Sequence, residues 1–148
     1  RITVERGSNV QENCIIHVFP GKDVLLKEGS HIGHGAVIHG ATIEPNCLVG
    51  MNAVVMDDAV IGKESIIGAL TFIKQGTQVP ERSVYAGNPG KKVKDVSDEM
   101  LKWKTEGTQW YKNLPESFRN SLLSCKPLAE DNLNRPRGKG GFSPLKSN

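Results

Sequence analysis

The chain has 148 residues, 37% hydrophobic but only 5% aromatic, and a formal charge of +3 from 19 basic and 16 acidic side chains. That length suits one modest domain with an aliphatic core. The interspersed charges exclude a strongly basic nucleic-acid surface, and no apolar run is long enough to span a bilayer.

The opening stretch "RITVERGSNV" already reads as strand, so the numbering is expected to begin inside a domain whose first coils lie upstream. Val4, Val10 and Ile16 follow one another at intervals of six, with the small residues Ser8 and Cys14 four places after the first two. "VFPGKDVL" then breaks the phase with a Pro-Gly turn, which predicts a loop leaving a corner. The series resumes at Leu26, Ile32 and Ile38, with Ser30, Ala36 and Thr42 in the small column. One interval is short, because Ile38 and Ile43 are five apart.

From Ile43 the pattern is strict. Ile43, Val49, Val55, Ile61, Ile67, Ile73 and Val79 are all β-branched, and the residues four later are all small, from Cys47 to Ser83. A helix needs a period near 3.6, so a period of six over this length indicates a repeat architecture. The fold class predicted is an all-β solenoid, a left-handed parallel β-helix of hexapeptide repeats with a C-terminal α-helix. Each hexad supplies one strand and one corner. The aliphatic points inward, and the small residue tucks under the corner. Cys14 and Cys47 are read as core filler in that column. With Cys125 they form an odd set without paired spacing, which points to a reducing, cytoplasmic setting.

The period ends after Tyr85, and "AGNPGKK" reads as a turn and exit. Ser97, Asp98 and Glu99 make a helix start, with a capping hydroxyl and acids near the positive end of the dipole. Met100, Trp103, Trp110 and Leu114 form the expected apolar stripe, interrupted by Gly107. Pro115 is expected to begin a second short helix through Leu123. The division predicted is a β-helix over 1–90, a helical segment over 91–125 and a loosely held tail over 126–148.

The register places the histidines. His17 and His39 each follow an inward isoleucine, and counting faces puts them on one face, one coil apart. His34 falls two residues after Ile32, on another face, away from its own chain's pair but within reach of a neighbour's if prisms pack side by side around a threefold axis. These positions predict a homotrimer with metal sites between subunits. Each site takes His17 and His39 from one chain and His34 from the next. Three histidines and an open fourth position are the catalytic zinc arrangement. His31 is read as a bystander on the surface or at an interface.

"NVQENCIIH", "IGHGAVIHG" and "LVGMNAVV" resemble the γ-class carbonic anhydrases and their relatives, most of all the phenylacetate-degradation and carnitine-operon branch. The resemblance runs from residue 1 to about 112. It implies a trimer of left-handed β-helices that holds Zn2+, or Fe2+ or Co2+ in some members. It also implies that Gln11 is the active-site glutamine, orienting bound hydroxide or bicarbonate. Glu12 stands where the family usually has Asp. The family's Arg-Gly-Asp stretch would fall before Arg1. Its proton-shuttling glutamate has no counterpart in "VFPGKD".

The first functional expectation is a zinc-dependent carbonic anhydrase-like enzyme, with metal-bound hydroxide attacking carbon dioxide to give bicarbonate. The alternatives are a metal-dependent acyl-CoA thioesterase, a hexapeptide-repeat CoA-dependent acyltransferase using one histidine as base, and a non-catalytic accessory protein of a CoA-ester pathway.

Overall fold

The computed structural model describes residues 1–124 and 126–127. Three parallel sheets form the walls of a prism of about five coils. The first contains β1 (Ile2–Val4), β4 (Val24–Leu26), β7 (Thr42–Ile43), β10 (Val60–Ile61) and β13 (Gln78–Val79). The second runs β2 (Asn9–Val10), β5 (His31–Ile32), β8 (Leu48–Val49), β11 (Ile66–Ile67) and β14 (Ser83–Ala86). The third holds β3 (Ile15–His17), β6 (Val37–His39), β9 (Val54–Val55) and β12 (Phe72–Ile73). Ile67 pairs with Val49, one full coil back, and the same step links Ile61 to Ile43.

The two columns read from the sequence are the core. Ile43, Val49, Val55, Ile61, Ile67 and Ile73 are fully buried, and so are Cys47, Ala53, Ala59, Ser65 and Ser83. Truncating one of these isoleucines to alanine should cost about 2–5 kcal/mol. Burial pushes the Cys47 thiol up to about 12, which fits a packing role. Val4 and Val10, by contrast, are 50% and 41% exposed at the end of the prism formed by the first coil.

The corners share one backbone device. Asn46, Asn52, Asp58, Glu64, Leu70, Gly76 and Arg82, again at intervals of six, all have φ between 50° and 71°. Asn and Gly tolerate this left-handed conformation, whereas Leu70 and Arg82 adopt it at a cost. A tight turn at every corner therefore outweighs local preference.

The C-terminal part departs from the predicted division. After β14 the chain turns back as β15 (Lys91–Asp95), antiparallel to β14, so the sheet extends past residue 90. One helix, α1 (Asp98–Ser121), follows. The Ser97 hydroxyl accepts from Met100 N–H as its cap. Pro115 does not start a new helix; it lies inside α1. Proline there removes one intrahelical hydrogen bond, but the turns on either side remain helical. The buried face of α1 also differs from the expected stripe. Lys104, Gly107 and Thr108 are buried, while Trp110 is exposed. Gly107 thus marks close packing on the prism.

Lys104 fastens the helix. Its ammonium donates to Gly29 O (2.8 Å) and Asn46 Oδ1 (2.7 Å), and burial lowers its pKa to about 8. The predicted tail, 126–148, falls almost wholly outside the described residues. Among the described residues no helix is long and apolar enough to cross a membrane.

Candidate metal centre and adjoining cavity

Parallel pairing of β3 with β6 sets His17 directly against His39. His17 Nδ1 and His39 Nε2 face each other at 2.9 Å, with ring centroids 4.9 Å apart. Behind them, the other ring nitrogen of His39, Nδ1, lies 2.8 Å from Asp57 Oδ2. A carboxylate at that distance accepts from Nδ1–H and so leaves Nε2 with its lone pair directed at His17. Two imidazole nitrogens converging in this way can share a proton or share a cation.

Asp57 fits its position for a local reason. Its side chain is only 10% exposed, and its Oδ1 is buried with no hydrogen-bond partner among the described residues. It reaches His39 across Gly40, in the short hexad, and a Cβ at Gly40 would overlap Asp57 Oδ1. Gly40 also has φ 56°. The missing side chain at Gly40 is therefore what admits the carboxylate. Phe19, from the loop after β3, packs edge-on against both rings, 5.8 Å from His17 and 4.8 Å from His39.

His34 stands apart from this pair, at an exposed corner. Its Nδ1 lies 2.8 Å from Glu12 Oε2, which leaves Nε2 as the nitrogen for an external ligand. Gln11 groups with His34 rather than with His17 and His39. Its Oε1 accepts from the His34 backbone N–H (3.1 Å), and its Nε2 lies 2.6 Å from His31 Nε2. His31 is therefore more than a surface residue. Tyr111 of α1 packs edge-on against its ring at 5.0 Å. Burial first, then the charges of Lys104 and His34, lower its pKa to about 4. A neutral His31 can accept from the Gln11 amide, and that bond fixes which way the amide points.

Among the described residues no three His, Cys, Asp or Glu side chains converge within one chain as metal ligands. The donors nonetheless suit a borderline divalent ion. Two imidazoles converge, one is oriented by a buried carboxylate, and a third imidazole is held on another face.

The repeat segment 40–75 matches the family described as bacterial transferase hexapeptide (six repeats). The carnitine operon protein CaiE of Proteus sp. (strain LE138) is 42% identical over 140 residues, covering 95% of this chain and 71% of that protein. This chain belongs to the CaiE family of hexapeptide-repeat proteins. The CaiE protein of Escherichia coli (strain K12) is 43% identical over the same shares. Among solved structures, a hexapeptide transferase family protein from Anaplasma phagocytophilum aligns with a TM-score of 0.74 at 28% identity, covering 78% of this chain and 68% of that one. An acetyltransferase described as putative, from Bacillus cereus, gives a TM-score of 0.64 at 29% identity, covering 73% and 67%. These CaiE relatives and neighbours establish the hexapeptide fold. The likeness to the γ-class carbonic anhydrases rests on the sequence resemblance alone.

In this CaiE-family chain a cavity of about 510 Å³ lies between α1 and the second sheet. Gln11, His31 and His34 border it, and Met51, Trp103 and Trp110 line its apolar part. Sequence reasoning missed three participants: Asp57, His31 and the cavity. Asp57 had one signal, an acidic residue next to the position stacked one coil above His39. The other two depend on α1 docking from far along the chain.

Proposed function

We propose that this protein is a metal-dependent enzyme acting on acyl-CoA thioesters, at sites completed between the subunits of a homotrimer. His17 and His39 of one chain and His34 of the next would hold the ion, with Zn2+ favoured over Fe2+ or Co2+. The reading is carried by the convergence of His17 Nδ1 and His39 Nε2 at 2.9 Å with Asp57 behind. When bound, such an ion supplies Lewis acidity that polarises a carbonyl or water oxygen.

The chain's own groups do the rest. Asp57 holds His39 in the tautomer that presents Nε2, and Glu12 does the same for His34. An amide NH2 has two donors, and Gln11 spends one on His31. The second is available to a thioester carbonyl oxygen. In the overall reaction a water oxygen bonds to the carbonyl carbon, the C–S bond breaks, and the sulfur leaves as the thiol with a proton from that water.

Two observations favour an acyl substrate over carbon dioxide. An apolar cavity of about 510 Å³ adjoins Gln11 and His34, far more space than a triatomic substrate needs. The relatives are named for a carnitine operon, and the neighbours as a hexapeptide transferase family protein and an acetyltransferase. Carbon dioxide hydration at the same centre draws support from the histidines alone. Acyl transfer to a second substrate is favoured by the His34–Glu12 pair, a carboxylate-oriented imidazole at the cavity edge and so a candidate general base.

Thiol release from acyl-CoA, followed beside carbon dioxide hydration on the same preparation, separates these readings. The proposal expects thiol release without an added acceptor, abolished by chelation and restored by Zn2+. Thiol release that requires an acceptor and survives chelation would establish the transferase instead. Hydration without thiol release would establish the anhydrase.

A further inference from the structure

The cavity beside α1 has a direction. Gln11, His31, Leu48 and Ala69 belong to, adjoin or closely follow β2, β5, β8 and β11, and these strands are paired in that order along the prism. The lining residues are therefore laid out coil by coil. Gln11 lies in the first coil, His31 and His34 in the second, Leu48 and Met51 in the third, and Ala69 in the fourth. Three inter-coil steps span about 14 Å. The polar groups sit at one end of this run and the apolar groups at the other. Trp103 and Trp110 of α1 also line the cavity.

Its volume, about 510 Å³, falls within the range of sites that enclose small molecules. Among the described residues no carboxylate contributes to the lining, and the Lys104 ammonium is engaged by Gly29 O and Asn46 Oδ1. Such a site suits an apolar body attached to a polar head. The polar end coincides with the residues that would meet a thioester carbonyl, Gln11 and His34.

We propose that this cavity is the acyl site, and that it takes an unbranched acyl group of medium length lying along the second to fourth coils with its carbonyl at Gln11. The proposal rests on the acyl-CoA reading and names the substrate class that reading leaves open. Gln11 thereby becomes the hinge between the two sites. Its amide orientation, set by His31, faces both the head of the ligand and the corner that carries His34. Discrimination among acyl-CoAs then resides in α1 and the third and fourth coils, while the reaction resides at the histidines.

The chain contains only two tryptophans, and both line the cavity, so its occupancy can be followed directly by intrinsic fluorescence. The test titrates the purified protein with unreactive S-alkyl-CoA thioethers from ethyl to dodecyl. The proposal expects a saturable change in tryptophan fluorescence. Affinity should rise about fourfold per added CH2 and then level off once the cavity is filled. Ala69→Phe, at an exposed position on the lining, should weaken dodecyl binding at least about tenfold and leave ethyl binding unchanged. Met51→Phe fills the same space from the preceding coil and serves if Ala69→Phe does not fold.

Affinity independent of chain length would overturn the proposal, as would long-chain binding unaffected by both variants. Loss of trimer mass in both variants would also overturn it, by showing that a second copy of the chain occupies the cavity. Length-dependent binding without thiol release leaves the acyl site in place and removes only the hydrolytic reading. Thiol release with flat binding does the reverse.

Discussion

The chain carries two histidine pairs, and they are built differently. His17 and His39 stack on one sheet, and His39 is 16% exposed against an Asp57 side chain that is 10% exposed. His31 and His34 flank a corner, and the carboxylate that meets His34, Glu12, is 80% exposed. In the first pair the strand ladder sets both rings in register and a buried carboxylate orients His39, while His17 is exposed and meets Phe19. The second is divided. His31 is pinned between Gln11 and Tyr111, whereas His34 is left at the surface with a solvated partner. An oriented half and an adjustable half are what a site completed by subunit docking requires. In the proposed site the first half would set the position of the ion, and the exposed half would adapt to it.

Substitutions should expose that asymmetry. The largest effect belongs to His39→Ala, which removes a proposed ligand from the first half. Metal content should fall to background, and thiol release should drop by more than the 10–100-fold typical of losing an outer partner. Asp57→Asn keeps the ring but weakens its carboxylate, so metal affinity measured by competition with a chelator should fall about 10–100-fold. Gly40→Ala displaces the same carboxylate sterically and should reproduce the Asp57→Asn defect in that assay.

The second half should respond more to pH than to charge removal. His31 has a folded pKa of about 4 against an ordinary 6.5. Its stabilising contribution is complete above pH 6.5 and is lost as pH falls towards 4, because the unfolded chain takes up the proton first. That contribution amounts to about 3 kcal/mol. Denaturant unfolding at pH 7 and pH 4.5 should show the loss in the parent, and His31→Phe should flatten it. The smallest effect is expected for Glu12→Gln. An exposed ion pair contributes at most about 1 kcal/mol, so metal affinity should change by less than about fivefold. A Glu12→Gln defect as large as that of Asp57→Asn would erase the distinction between the halves.

Most of the fold was legible because a solenoid writes its register into the sequence. Every inward position from Ile43 to Ile73 is fully buried, and counting coils was enough to set His17 against His39. The same counting failed where contacts are not periodic. Pro115 suggested a helix start, but the helix runs through it to Ser121. Gly107 looked like a flaw in an apolar stripe and is instead buried against the prism. His31 looked idle because its partner Tyr111 lies 80 residues away, on an element whose docking no local pattern encodes. Asp57 escaped notice because its contact with His39 depends on the space left by Gly40 one coil away, which no periodic pattern encodes.

The central claim is that each site is completed by a second chain around an ion. It is tested most directly by measuring metal content and oligomeric mass together on one purified sample. The account predicts a trimer with one divalent metal per chain, and His34→Ala should empty all three sites while His17 and His39 remain in place. A metal-free trimer, or a monomer that binds metal with full affinity, would contradict it.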